Sequence, residues 1–137
     1  MSMVDVSSKD EIIREATASG TIKLKAETIN LIKTGKIAKG DPLYTAKIAG
    51  VLAAKKTSGL VPLCHPLPLT NVQVDVNVVD KGTVEVSATV KTRAQTGVEM
   101  EALTAVGIAA LTIYDMCKAV DQKMQIAGIK LVSKTKR

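Results

Sequence analysis

The chain has 137 residues, enough for one domain that buries a core without disulfides or a structural metal. Apolar residues make up 46%, which argues against disorder, but there is no Phe or Trp and only two Tyr, so the core must be built from Val, Ile, Leu, Ala and Met. Nineteen Lys and Arg against 13 Asp and Glu give a formal charge of +6, which favours anionic partners, while the shortage of aromatic rings excludes the base-stacking surfaces of RNA and single-strand readers.

No apolar run reaches the roughly 18 residues that a membrane helix needs. The start, MSMVDVSSKDEIIRE, has no apolar stretch of the signal-peptide kind. The expectation is a cytoplasmic protein with neither a nucleic-acid nor a membrane partner. Residues 1–11 are polar and expected to be loose. Residues 12–25 partly alternate and are rich in β-branched side chains, predicting a strand with a bulge near Gly20. A short helix over 26–34 ends at Gly35. Asp41 then caps a second helix with Pro42 at its first position, running to about residue 57, and Gly50 inside it predicts close packing on a neighbour. Pro62, Pro66 and Pro68 exclude helix over 58–68.

Val72, Val74, Val76 and Val78 alternate with polar residues, as do Val84, Val86, Ala88 and Val90 after Asp80-Lys81-Gly82. This pattern predicts a hairpin with one buried and one wetter face. A helix over 99–120 follows, then a strand over 124–132 and a loose basic tail, 133–137. The order β-α-β-β-α-β, with its first helical part broken in two, predicts a single α+β domain: a ferredoxin-like sandwich whose antiparallel sheet carries its helices on one face.

The helix at 99–120 is apolar or small nearly all round, which implies burial by its own fold or by a partner subunit. It nevertheless carries Glu99, Glu101, Asp115 and Lys118. Glu101 and Asp115 fall on nearly the same side, roughly 20 Å apart, and Asp115 and Lys118 are i, i+3 neighbours. The pair is either an ordinary surface ion pair or a proton-transfer couple whose lysine also steadies phosphate charge. His65, the sole histidine, is either structural or a donor aimed at a ligand from a proline-stiffened loop. Lys39-Gly40-Asp41 reads as a helix cap or as an anion site, and it is not a P-loop. Met100 has the ordinary reading of core and Arg14 that of a surface residue. Cys64 and Cys117 form no C-x-x-C pair, so neither a metal site nor a disulfide is expected in a reducing compartment.

Six segments together resemble one family: MVDVS (3–7), KGD (39–41), IAGVLAAKKT (48–57), PLCHPL (62–67), TGVEMEALTAV (96–106) and AALTIYDMCKAVD (109–121). They are similar to the cyclic pyranopterin monophosphate synthases, the accessory protein C family of molybdenum cofactor biosynthesis, and the resemblance spans essentially the whole chain. It implies a lyase that converts a cyclised dihydroguanosine 5′-triphosphate, made by an upstream radical enzyme, into cyclic pyranopterin monophosphate. Pyrophosphate is released and no cofactor is needed. It also implies a homohexamer, a trimer of dimers, with sites at subunit interfaces. Asp115, Lys118 and Lys39 match the family's catalytic residues. Leu63, Cys64, His65, Glu99, Met100 and Glu101 match its substrate-binding positions, and Arg14 and Lys134 match basic residues that reach the triphosphate. The family usually continues into a Gly- and Ser-containing stretch after this lysine, so the ending SKTKR implies a less enclosed triphosphate. Two other classes compete on composition alone: a basic ferredoxin-like nucleic-acid or nucleotide-binding module without catalysis, and a purely structural oligomer.

Overall fold

The computed structural model describes residues 1–137. Its elements run β1 (Ile12–Lys23), α1 (Ala26–Lys33), α2 (Pro42–Lys55), α3 (Thr57–Leu60), β2 (Leu69–Asp80), β3 (Thr83–Ala94), α4 (Glu99–Cys117) and β4 (Gln125–Lys136). The four strands form one antiparallel sheet in the order β2-β3-β1-β4. That is the predicted ferredoxin-like α+β architecture, with α2 and α4 packed together on one side of the sheet.

Strand alternation decides which side is covered. Ala16, Ala18 and Ile22 of β1, Val74 and Val76 of β2, and Val84, Val86, Ala88 and Val90 of β3 are buried. The residues between them are wetter, and across this face the hydroxyls of Thr17 and Thr89 pair at 2.9 Å. A core without Phe or Trp closes by bringing backbones near each other. Ala102, Ala105 and Ala109 of α4 are fully buried. A Cβ added at Gly50 of α2 would lie 3.1 Å from the Val74 methyls and 3.2 Å from the Ala105 carbonyl oxygen. Gly50 therefore lets α2 wedge between β2 and α4, as its place in the sequence predicts. Fully burying a side chain such as Val90 or Ile113 stabilises the fold by about 1.5–3 kcal/mol.

The predicted bulge near Gly20 is present, as a register shift between β1 and β4 at Ser19/Thr21, with a second at Thr17/Ala18. The predicted cap is also present: the Asp41 carboxylate accepts the Leu43 and Tyr44 amides at 3.0 and 3.3 Å.

Three boundaries differ from expectation. Residues 58–60, excluded from helix on account of the prolines, complete the helical turn α3. The proline restriction begins only at Val61, the extended residue before Pro62, and the Thr57 hydroxyl ties the turn to Ala53 O at 2.9 Å. α4 ends at Cys117 rather than at residue 120. The last strand runs on to Lys136. Its tail, expected to be loose, pairs Lys134 opposite Ala16 and Lys136 opposite Arg14, and the Ile13 and Arg137 amides each donate to the other's carbonyl. A basic tail reads as solvated by composition, but β1 offered it a free edge. Residues 1–11 form no helix or strand.

Asp121, just beyond α4, is fully buried and accepts from the Lys25 amide (2.9 Å), the Thr28 hydroxyl (2.8 Å) and the Lys123 amide (3.2 Å). Lys25 precedes α1 and caps it with no side-chain bond of its own, so a distant carboxylate fixes the start of that helix. Burial pushes the Asp121 carboxyl up, but these donors outweigh it and hold the group below its ordinary range.

Candidate active site

The predicted site residues gather at the two ends of α4. At its C-terminal end, the Lys39 ammonium donates to Asp115 Oδ2 at 2.9 Å and the Lys118 ammonium forms an ion pair with Oδ1 at 3.2 Å. Lys39 also approaches the Asp115 carbonyl at 3.4 Å. Gly40, at φ 117°, turns the chain so that Lys39 points to α4 while Asp41 caps α2. The anion-site reading of Lys39-Gly40-Asp41 thus divides: Asp41 is a cap, and Lys39 belongs to the cluster on α4. The hydrogen bond from Lys39, then that from Lys118, holds the Asp115 carboxyl below its usual range. All three side chains are more than half exposed, so this arrangement adds little to stability and stands open to a ligand.

At the N-terminal end of α4, two clefts adjoin. One, of about 330 Å³, is walled by Leu63, Cys64, His65, Leu67 and Met100, with Val4 and Val6 from the N-terminal segment. The other, of about 320 Å³, has no hydrophobic lining and carries Lys9, Arg14, Lys134 and Lys136 around Glu15 and Glu99. Lys9, Thr96, Gly97 and Glu99 line both, so an apolar lobe opens directly into a cationic one. Arg14 is aimed by the carbonyls of Ala94 and Gln95, which accept from its guanidinium at 3.2 and 3.3 Å. Lys134 lies 4.0 Å from Glu99.

Glu101 stands apart from its predicted neighbours. It lines neither cleft and lies behind Cys64, whose thiol donates to Glu101 Oε2 at 3.8 Å. Its other oxygen is buried and has no partner. Burial, with the Glu99 charge adding to it, pushes the Glu101 carboxyl up. Burial and then the Glu101 charge push the Cys64 thiol up as well. Cys117 is sealed in the core, its thiol pushed up to about 11, and both cysteines are free. No three His, Cys, Asp or Glu side chains converge as a metal site does.

Lys9, Thr96 and Lys136 were not singled out in the sequence. Thr96 opens the TGVEMEALTAV segment, a usable signal. Lys136 had none, because its place depends on the unforeseen strand pairing. Glu99 and Asp115 are 16 positions apart on α4, so the two clusters stand about 24 Å from each other within one subunit.

The MoaC family model matches residues 3–137. Proteins named cyclic pyranopterin monophosphate synthase are similar over nearly all of the chain. The one from Desulfitobacterium hafniense is 54% identical over 97% of this chain and 82% of its own length. The one from Roseiflexus sp. strain RS-1 is 56% identical over 97% and 85%. The one from Clostridium perfringens is 55% identical over 96% and 84%. With a family match across the whole fold and relatives above half identity, the chain belongs to the MoaC family.

Proposed function

We propose that this chain is a lyase of molybdenum cofactor biosynthesis that converts cyclised dihydroguanosine 5′-triphosphate to cyclic pyranopterin monophosphate and pyrophosphate. The observation that carries the reading is the Asp115 carboxylate gripped by Lys39 and Lys118, ammonium groups from two distant parts of the chain. Family membership and the names of the relatives supply the reaction; the geometry supplies the roles.

Opening and reclosing the purine-derived ring requires protons to move on and off nitrogen and oxygen. An ionised Asp115 accepts a proton, and Lys118 or Lys39 gives one back. The same ammonium groups neutralise negative charge as an oxygen attacks the α-phosphate and pyrophosphate leaves. At the other end of α4, Leu63, Cys64 and Met100 offer an apolar wall for the flat ring system, and Glu99 accepts its N–H groups. His65, Arg14 and Lys134 donate to the phosphates. Glu101, behind Cys64, acts by holding that wall in place.

A separation of about 24 Å along α4 is more than one substrate pocket spans, so facing half-sites of neighbouring subunits complete each other. This supports a homohexamer, a trimer of dimers with interfacial sites. So does an uncovered apolar stripe: Tyr44, Ile48 and Leu52 recur every fourth residue on α2, and Leu111 is bare on α4. An upstream radical enzyme would provide the substrate. A cytoplasmic location goes with two free thiols. The binding-module alternative is not favoured, since the open sheet face presents Thr17, Thr89 and their neighbours rather than rings on which bases stack.

The test is to incubate the assembled protein with cyclised dihydroguanosine triphosphate and measure pyrophosphate and pyranopterin. Asp115→Asn should lower turnover by about 10²- to 10⁴-fold while leaving the fold intact. Normal turnover by that variant removes Asp115 from the mechanism, and no turnover by the assembled native protein removes the function.

A further inference from the structure

The N-terminal segment is tied to the body of the fold by a single hydrogen bond, with the Asp5 charge facing the same histidine. The Val4 carbonyl oxygen lies 2.7 Å from His65 Nε2. A carbonyl can only accept, so Nε2 carries a proton and donates it to Val4. The segment's other bonds are to itself: Asp5 accepts the Ser7 amide at 2.9 Å and Val6 accepts the Lys9 amide at 2.9 Å. Val4 is 70% exposed, so little apolar burial secures the residue that holds His65, while Met3 and Val6 are partly covered. Yet Val4 and Val6 form part of the lobe's wall.

These facts place one donor between two claimants. The proton that His65 would offer to a phosphate oxygen is already engaged by the protein's own backbone. We infer that Met3–Ser7 is a latch. In the free protein it occupies His65 and narrows the lobe, and a phosphate-bearing ligand must displace Val4 from Nε2 to be held there. The inference rests on the proposed role of His65, and it predicts behaviour separable from turnover. A latch so weakly seated costs the ligand affinity while leaving the Lys39, Asp115 and Lys118 side chains themselves unchanged.

Two measurements test it. His65 is the only histidine, so its ring signals in a nitrogen-15 NMR spectrum are unambiguous. Titrating the full-length protein with GTP, a phosphate-bearing probe, should shift the His65 ring and make the amides of Val4–Ser7 mobile. A His65 ring that shifts while those amides stay fixed, or no response at His65 at all, overturns the latch. Separately, a variant lacking Met1–Ser7 should show a KM lowered several-fold with kcat retained. A raised or unchanged KM overturns the inference, because the segment then helps to hold the ligand or has no bearing on it. Asp5→Gly, which removes the strap's internal bond, should move KM the same way by less and covers the case in which the shortened chain does not fold. The NMR arm needs no turnover, so it stands even if the proposed reaction fails.

Discussion

Asp121 and Asp115 are six residues apart and stand in opposite environments. Asp115 is exposed and held by exposed ammonium groups, while Asp121 is buried and held by two amides and a hydroxyl. Removing charge at Asp121 should therefore cost stability rather than turnover. Asp121→Asn replaces an acceptor-only group with one whose NH2 faces donors, and it should lower unfolding free energy by about 1–3 kcal/mol, measured by urea denaturation at neutral pH. The native carboxyl sits below its unfolded value, near 3.9. Its contribution is thus complete above that value and disappears as pH falls through the folded pKa. Acid denaturation curves of native protein and variant should converge in that range, and a constant gap down to the lowest pH would contradict the assignment. Both aspartates lie in one sequence segment that carried the family resemblance. Nothing local distinguishes the exposed, lysine-held aspartate from the buried anchoring one, because the difference lies in Thr28 and Lys39, partners from elsewhere in the chain.

At the level of elements, periodicity did most of the work. The valine alternation of β2 and β3 and the small, apolar surface of α4 were readable because burial follows from them directly. Gly50 was readable as a close approach, though not what it approaches. Gly50→Val should force Val74 or the Ala105 carbonyl to move, destabilising the protein by about 1–3 kcal/mol and weakening the docking of α2 on α4. A Tm drop of several degrees in calorimetry checks this, and an unchanged Tm would mean that the wedge relaxes freely. Less of β4 was legible. Lysines at 134 and 136 look solvated in sequence, and only the free edge of β1 makes them a strand. Through that pairing the cationic lobe acquires two of its four basic residues.

Across the whole molecule, the placing of the two side-chain clusters at opposite ends of α4 has the largest consequence. If each working site joins the Lys39–Asp115–Lys118 end of one subunit to the cleft end of another, two impaired variants can complement. Asp115→Asn and His65→Ala, each impaired alone, should regain turnover when unfolded together and reassembled at equal ratio. About one quarter of the sites then receive two intact halves. No recovery in properly assembled mixed oligomers would place both halves within one subunit. The family resemblance implied interfacial sites, but the local reading could not have supplied this division, since it depends on where Lys39 and His65 come to rest around one helix.

The bare stripe on α2 has an optical consequence. With no tryptophan or phenylalanine, Tyr44 and Tyr114 are the only near-ultraviolet chromophores in the chain. Tyr44 is 64% exposed at the head of the uncovered stripe, whereas Tyr114 is half-buried beside Asp115. One ring therefore faces the surface that a neighbour would cover and the other stands next to the ionised carboxylate. Their emission would separate the covering of the stripe from changes beside Asp115, with no label attached.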